Sequence, residues 1–368
     1  MNHKKGGVGN GNSRFSGTII RSESASSCLV PVYPGHLQYR KGFLLRWGLI
    51  LALAIGAGLC SCSTLSPVTV PAGSSGISRA ASLEDLSPRW LPFAEDALPG
   101  LGYFAGAVEK PRLEFRALRV DLGEPGLVIV VSGQEAAEGG GAGLAPTGLI
   151  PSTRVSGFVK RYNCLAGINT NPFSPVSGKV GEDRTIDGIT IAGGRLISLP
   201  HPAFDALVFY RNAGAGDGAA DEGGLKAAIV SQAILEGEEL RRIVHAVGGF
   251  HIVLQEGAVP GAVEKRSKAR HPRSAAGLSP DGRILYLLAV DGRRPGSIGA
   301  TEGELGIMLK GLGASEGLNF DGGGSTALAL RYGDGKVRVV NTPIHGGIPG
   351  RERGVATCLG IAARKTVD

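Results

Sequence analysis

ILYLLAVDGRRPGSIGATEGELGIMLKGLGASEGLNFDGGGST, residues 284–326, holds the alternation of elements on which the fold class turns. Ile284–Val290 is an apolar run of buried-strand length that ends at Asp291-Gly292. Thr301 with Glu304 three residues later forms a capping box, and Leu305, Met308, Leu309 and Leu312 follow at helical spacing. Gly313 supplies the C-terminal stop, so a helix is predicted over Thr301–Leu312. A short strand, Leu318–Phe320, then runs into three glycines.

Outward from this stretch, strands outnumber helices. Leu113–Val120 alternates, Gly126–Val131 is a buried run, and Ile189–Ser198 reads as a hairpin turned at Gly193-Gly194. Ala206–Tyr210, Ala227–Ser231, Phe250–Leu254, Ala327–Arg331 and Val337–Val340 are further strand candidates. Thr153–Asn163 and Glu238–Ala246 are the remaining helix candidates. Strands and helices do not alternate strictly, so the expected class is α+β: mixed, strand-rich sheets flanked by a few helices in a single domain.

The 368 residues are 42% hydrophobic, enough for a sizeable core. The 60 glycines follow no Gly-X-Y period, which points to tight turns and close backbone approaches rather than collagen. The net charge of +7 is a property of the leader: residues 1–61 hold seven Lys/Arg and one acid, leaving the rest at +1, so no nucleic-acid partner is expected. Within that leader, Arg40, Lys41 and Arg46 precede the thirteen apolar or glycine residues Trp47–Leu59, a signal-peptide pattern too short for a spanning helix. Leu59-Cys60-Ser61-Cys62 resembles a bacterial lipobox with Cys62 as the lipidation site. Residues 1–61 are therefore expected to be leader, 62–90 a lipidated Ser/Pro/Gly-rich tether, and 91–368 the globular domain of an exported, membrane-anchored lipoprotein on the periplasmic face or cell surface. Cys164 and Cys358, the body's two cysteines, fit either one disulfide or two buried thiols.

The strongest chemical feature is Asn319-Phe320-Asp321-Gly322-Gly323-Gly324-Ser325-Thr326, a carboxylate at a strand end followed by three glycines and two hydroxyls. Glycines let backbone N–H groups approach an oxyanion or phosphate, and a carboxylate there can act as acid, base, nucleophile or metal ligand. Taken alone, such a stretch is as readily a capped turn. Asn169, Arg273, Asp291, Arg293, Glu352 and Arg353 fall at the ends of other candidate elements and add carboxylates, amides and guanidinium groups suited to a charged sugar. Most of the basic stretch Lys265–His271 reads as a solvated loop, with Arg273 as the one placed in the pocket. HExxH, P-loop and GxSxG motifs are absent, and His201, His245 and His251 lack metal-ligand spacing.

These residues resemble the phosphodiester glycosidase family, the domain type of N-acetylglucosamine-1-phosphodiester α-N-acetylglucosaminidase. The matching blocks run in order over about 160–362: Gly167–Phe173, Gly248-Gly249, His271–Gly277, Val290–Arg293, Gly299–Leu305, Asn319–Thr326, Asn341–Pro343 and Glu352–Ala356. Asn169 keeps its place, but Thr170-Asn171-Pro172 stands where the family has Gly-Gly-Phe. The resemblance implies hydrolysis of a sugar-1-phosphodiester, with a sugar-phosphate or envelope glycan as partner. On that reading Asp321 is the acid/base or nucleophile, with Asp291 or Glu352 as second carboxylate. Arg273 and Arg293 bind phosphate, and Arg353 is a further substrate-binding residue. Asn169 and Asn319 hold sugar hydroxyls or orient Asp321, and the Gly322, Gly323, Gly324, Ser325 and Thr326 segment contacts the phosphate. No metal or cofactor is assigned, a divalent cation on Asp321 or Asp291 being the alternative. The rival functions are a non-catalytic envelope glycan-binding lipoprotein, a metal-dependent phosphodiesterase and a purely structural lipoprotein.

Overall fold

A computed structural model describes residues 77–93, 98–134, 146–176, 179–211, 225–266 and 268–364. All of them belong to one compact unit, Pro67–Asp368. The leader, the lipobox with Cys62 and most of the expected tether lie outside the described residues.

Three sheets surround a common core. The largest has seven strands in the order Ser78–Ala80, Leu101–Val108, Leu113–Asp121, Ile284–Val290, Arg273–Leu278, Glu316–Asn319 and His251–Leu254. A five-stranded sheet runs Arg195–Ser198, Thr190–Ala192, Ile243–Gly248, Asp205–Arg211, Leu225–Ser231. A second five-stranded sheet runs Val337–Val339, Leu328–Arg331, Ala166–Asn169, Cys358–Ala363, Leu127–Val131. Two of these sheets are antiparallel throughout, and the seven-stranded one has a single parallel pair, at Ser78–Ala80. Leu118, Leu287 and Leu318 of the first sheet, Leu207, Phe209 and Val247 of the second, and Ile168, Leu328 and Leu359 of the third meet in one apolar cluster. The alternation of side chains along each strand sends the neighbouring residues to the outer faces.

Helices cover those outer faces. Glu302–Leu312 has the expected capping box and a Gly313 cap at φ 109°, and it buries Leu305, Met308, Leu309 and Leu312 on the seven-stranded sheet. Val155–Arg161 packs Phe158 and Val159 on the third sheet. In both places two directly paired glycines form the floor: Gly277 with Gly317 beneath Leu309, and Gly167 with Gly360 beneath Val159 and Phe158. A Cβ on Gly317 would stand 2.6 Å from Leu309 Cδ1, and one on Gly167 2.7 Å from Val159 Cγ2. The paired glycines therefore set how closely each helix approaches its sheet.

Other expectations meet mixed outcomes. The hairpin turns at Gly193-Gly194, both at positive φ as a type I′ turn requires. The helix expected over Glu238–Ala246 stops at Arg242, and Ile243–Gly248 is a strand paired with Asp205–Arg211. Ile243, Val244 and Val247 are β-branched and fill the central strand of that sheet, which outweighs the local helical spacing. The tether expected to reach residue 90 ends earlier: Ser78–Ala80 pairs with Gly106–Val108, and Leu83 and Leu86 are buried. Cys164 and Cys358 are free, buried thiols, and burial pushes the Cys164 thiol up to about 12. Among the described residues no helix is long and apolar enough to cross a membrane.

Candidate functional site

Asp321 follows the Glu316–Asn319 strand where the first and third sheets meet, and its main chain is clamped from both sides. Its amide donates to the Thr170 carbonyl (2.8 Å), and its carbonyl accepts from Asn169 Nδ2 (2.6 Å). Asn169 Oδ1 in turn accepts from Ser274 Oγ (2.7 Å) and the Ala327 amide (3.2 Å). One buried amide thus ties together both ends of the 321–327 corner and the neighbouring strand. The predicted sugar ligand Asn169 has its side chain fully engaged in this clamp.

Each of the three glycines answers a different steric demand. A Cβ on Gly322 would lie 2.6 Å from the Pro272 carbonyl oxygen, which accepts the Gly323 amide (2.8 Å). Gly323 has φ 62° and lies against the Arg293 guanidinium, where a Cβ would come to 3.0 Å from its nitrogen. A Cβ on Gly324 would overlap the Arg353 guanidinium. The turn Gly323–Ser325 is thereby open to two guanidinium groups. Arg353 donates from Nε to His345 Nδ1 (3.1 Å) and from a terminal nitrogen to Ser325 Oγ (3.2 Å). Burial and the neighbouring Arg293 both press its charge down, while Asp321 supports it.

The electrostatics centre on Asp321. Burial raises its carboxyl to about 6, against the bonds from Ser325 and the Gly322 amide and the charge of Arg353; Asp187 adds to the rise. His345 is held below its usual range by burial and by Arg353 and Arg351, which suits a neutral ring accepting from Arg353. His271 is lowered by burial and by Arg273 and Arg293.

The remaining predicted residues fall elsewhere. Asp291 is fully buried: Oδ1 accepts from Asn341 Nδ2 (3.1 Å) and the Thr342 amide (2.8 Å), and Oδ2 from Arg294 (2.7 Å). Glu352 accepts from the amide and hydroxyl of Ser156. Arg273 is aimed at the helix side of its sheet, where it donates to the Ala300 carbonyl (3.1 Å) and faces Glu302 (3.7 Å). Asn319, opposite Ala275 in register, is buried on that same side and its amide has no hydrogen-bond partner. The Thr326 hydroxyl is likewise buried without one. Asp321, Arg293, Arg353, Ser325 and the glycines are therefore brought together, whereas Asp291, Glu352 and Arg273 are bonded to other groups and Asn319 is buried on the helix side of its sheet. His345 and Asp187 were not predicted, although Asn341-Thr342-Pro343 flags the segment leading to His345. Among the described residues no group of three or more His, Cys, Asp and Glu is arranged to hold a metal ion.

The strand-rich α+β domain thus brings the Asp321 carboxyl and the Arg353 and Arg293 guanidinium groups to one glycine corner. The phosphodiester glycosidase profile matches residues 162–362, and the chain belongs to that family. Among solved structures it is similar to the catalytic domain of zebrafish N-acetylglucosamine-1-phosphodiester α-N-acetylglucosaminidase, auto-inhibited by its pro-peptide. The identity is 19% and the TM-score 0.51, covering 76% of this chain and 88% of that one. A Burkholderia pseudomallei protein whose description calls it exported matches at 16% identity and TM-score 0.50, covering 68% of this chain and 74% of that one. No curated protein matches.

Proposed function

We propose that this protein hydrolyses a sugar-1-phosphodiester of the N-acetylglucosamine-1-phosphodiester kind in the cell envelope. The observation that carries the reading is the placement of the Asp321 carboxyl beside Arg353, with Arg293 next to Arg353 over the glycine turn. Two guanidinium groups that repel one another at a glycine-walled corner form a seat for a phosphodiester anion, whose charge relieves the repulsion. The backbone of the Gly322–Ser325 turn, free of side-chain bulk, lies against the same anion. A carboxyl with a value near 6 keeps a substantial protonated fraction at mildly acidic pH and serves as the acid for the leaving oxygen. Asn169 orients Asp321 through its main chain in this scheme.

The test is sugar release from a chromogenic sugar-1-phosphodiester, with and without chelator. Release that survives chelation supports the proposal. Loss with chelator and indifference to the sugar would point to a metal-dependent phosphodiesterase, and saturable binding without turnover to a glycan-binding protein. We also propose export with a lipid anchor on Cys62, supported by the apolar run Trp47–Leu59 and the Leu59–Cys62 motif. Fatty-acid labelling that persists in Cys62→Ser would sink the anchor assignment.

A further inference from the structure

The hydrolysis proposed above needs a second carboxylate, and the two expected from sequence are committed. All acceptor positions of buried Asp291 that the fold uses go to Arg294, Asn341 and Thr342, and Glu352 holds Ser156. Asp187 is different. It is half-buried, and among the described residues its carboxylate has neither a hydrogen bond nor an ion pair, while its charge bears on Asp321.

Its position is fixed through the segment that also fixes Asp321. The Asp321 amide is held by the Thr170 carbonyl, and the Asp187 amide by the Pro172 carbonyl (2.9 Å). Between these two anchors, Asn171 Nδ2 donates to the carbonyls of Asp187 (3.4 Å) and Ile189 (3.0 Å). Asn171 Oδ1 accepts from the Gly248 amide (3.1 Å), where a Cβ would come within 2.6 Å of the Asn171 amide nitrogen. The Thr357 hydroxyl receives the Asn171 amide and pins the segment to the third sheet. The anchor residues are two apart and so at most about 7 Å from one another, which holds the Asp187 and Asp321 main chains side by side on one segment.

We propose that Asp187 is the second catalytic carboxylate, the base that activates water, and that Asn171 is its positioning residue; this rests on the hydrolase reading above. Water attacks C1 of the sugar and gives its proton to the Asp187 carboxylate. The C1–O bond breaks, and its electron pair goes to the bridging phosphate oxygen, which takes the proton from Asp321. The products are the free sugar and a phosphomonoester, and the proton on Asp187 leaves through solvent to restore Asp321. The replacement of the family's Gly-Gly-Phe by Thr170-Asn171-Pro172 acquires a reason here: a side-chain amide straps the Asp187 turn beside the Asp321 corner.

The experiment uses the full chain and two readouts. Asp187→Gly is expected to lose at least about 100-fold in kcat/KM on a sugar-1-phosphodiester, and added azide is expected to restore turnover with formation of the glycosyl azide. Activity within threefold of the parent, or a folded variant that azide fails to rescue, overturns the base role. Carboxyl NMR titration is independent of turnover: Asp187→Asn should move the Asp321 midpoint downward, because a like charge has been removed. An unmoved midpoint overturns the pairing of the two carboxylates. A parent protein without turnover overturns the hydrolase reading and the base role together, and the titration still decides the pairing.

Discussion

Asp321 owes its position to main-chain bonds and its acidity to its neighbours, so the two can be perturbed separately. Asp321→Asn keeps the clamp of Asn169 and Thr170 and removes the proton donor; a loss of at least about 100-fold in kcat/KM is expected. As an acid, Asp321 works in its protonated form, so kcat/KM should fall as pH rises through about 6. Arg353 lowers that value, and Arg353→Ala should move the descending limb to higher pH, reduce kcat/KM and weaken inhibition by inorganic phosphate. A limb that stays in place would detach Arg353 from Asp321. Arg293, the one of the adjacent pair that the resemblance singles out, and Arg294 take different places. The left-handed backbone at Arg293 (φ 57°) separates them: one guanidinium lies over Gly323, the other pairs with Asp291 and Glu114. Asp291 is thus a strut joining the Ile284–Val290 strand end to Asn341-Thr342, where the resemblance implied either it or Glu352 as the second carboxylate. Asp291→Ala should cost about 3–5 kcal/mol in a urea titration, since a buried pair loses one partner.

Elements rich in large apolar or β-branched residues were legible, and those built on small residues were not. Ile284–Val290 and the capped helix Glu302–Leu312 announce themselves by periodicity. Leu101–Val108, Ala166–Asn169, Arg273–Leu278 and Cys358–Ala363 are full members of their sheets, yet they contain glycines and alanines that depress strand propensity. The structure supplies the reason. Gly102 lies under the Trp90 side chain and Gly106 under the Phe115 ring, while the Gly277–Gly317 and Gly167–Gly360 pairs receive helices. Small residues there are set by what packs over them, information held elsewhere in the chain. The candidate site inherits the same limit, because the polar 169–172 segment extends one of these small-residue strands. Gly317→Ala should therefore lower stability by about 1–3 kcal/mol by pushing Leu309 outward. Gly126→Ala, by contrast, meets strain at its φ of 79° with nothing within 4 Å of its added methyl, so it shows backbone cost alone. A urea midpoint for Gly317→Ala equal to that of the parent protein would contradict a packing role for the glycine floor.

At the scale of the molecule, the site depends on three sheets closing on one core, with the 169–172 segment from the third sheet holding the Asp321 corner of the first. Anything that loosens the seven-stranded sheet is then felt at the corner. That sheet's outer face is completed by residues that composition assigned to a tether. Ser78–Ala80 adds an edge strand beside Leu101–Val108, Leu83 and Leu86 enter the cluster beneath Glu302–Leu312, and Trp90 stacks near Phe104 and Tyr286 at 5.9 Å. The Ser/Pro/Gly-rich composition hid this, since two leucines three apart carry no periodicity by themselves. A chain beginning at Leu91 loses both leucines and uncovers the neighbouring helix at Gly311, against which Leu86 packs. Each buried leucine contributes about 1.5–3 kcal/mol, so this truncation should cost roughly 3–6 kcal/mol relative to a chain beginning at Ile77. The loss should appear as a lower urea midpoint, and the same truncation should reduce turnover at denaturant concentrations where the longer chain is still native. Indistinguishable midpoints for the two chains would return residues 77–90 to the role of a tether.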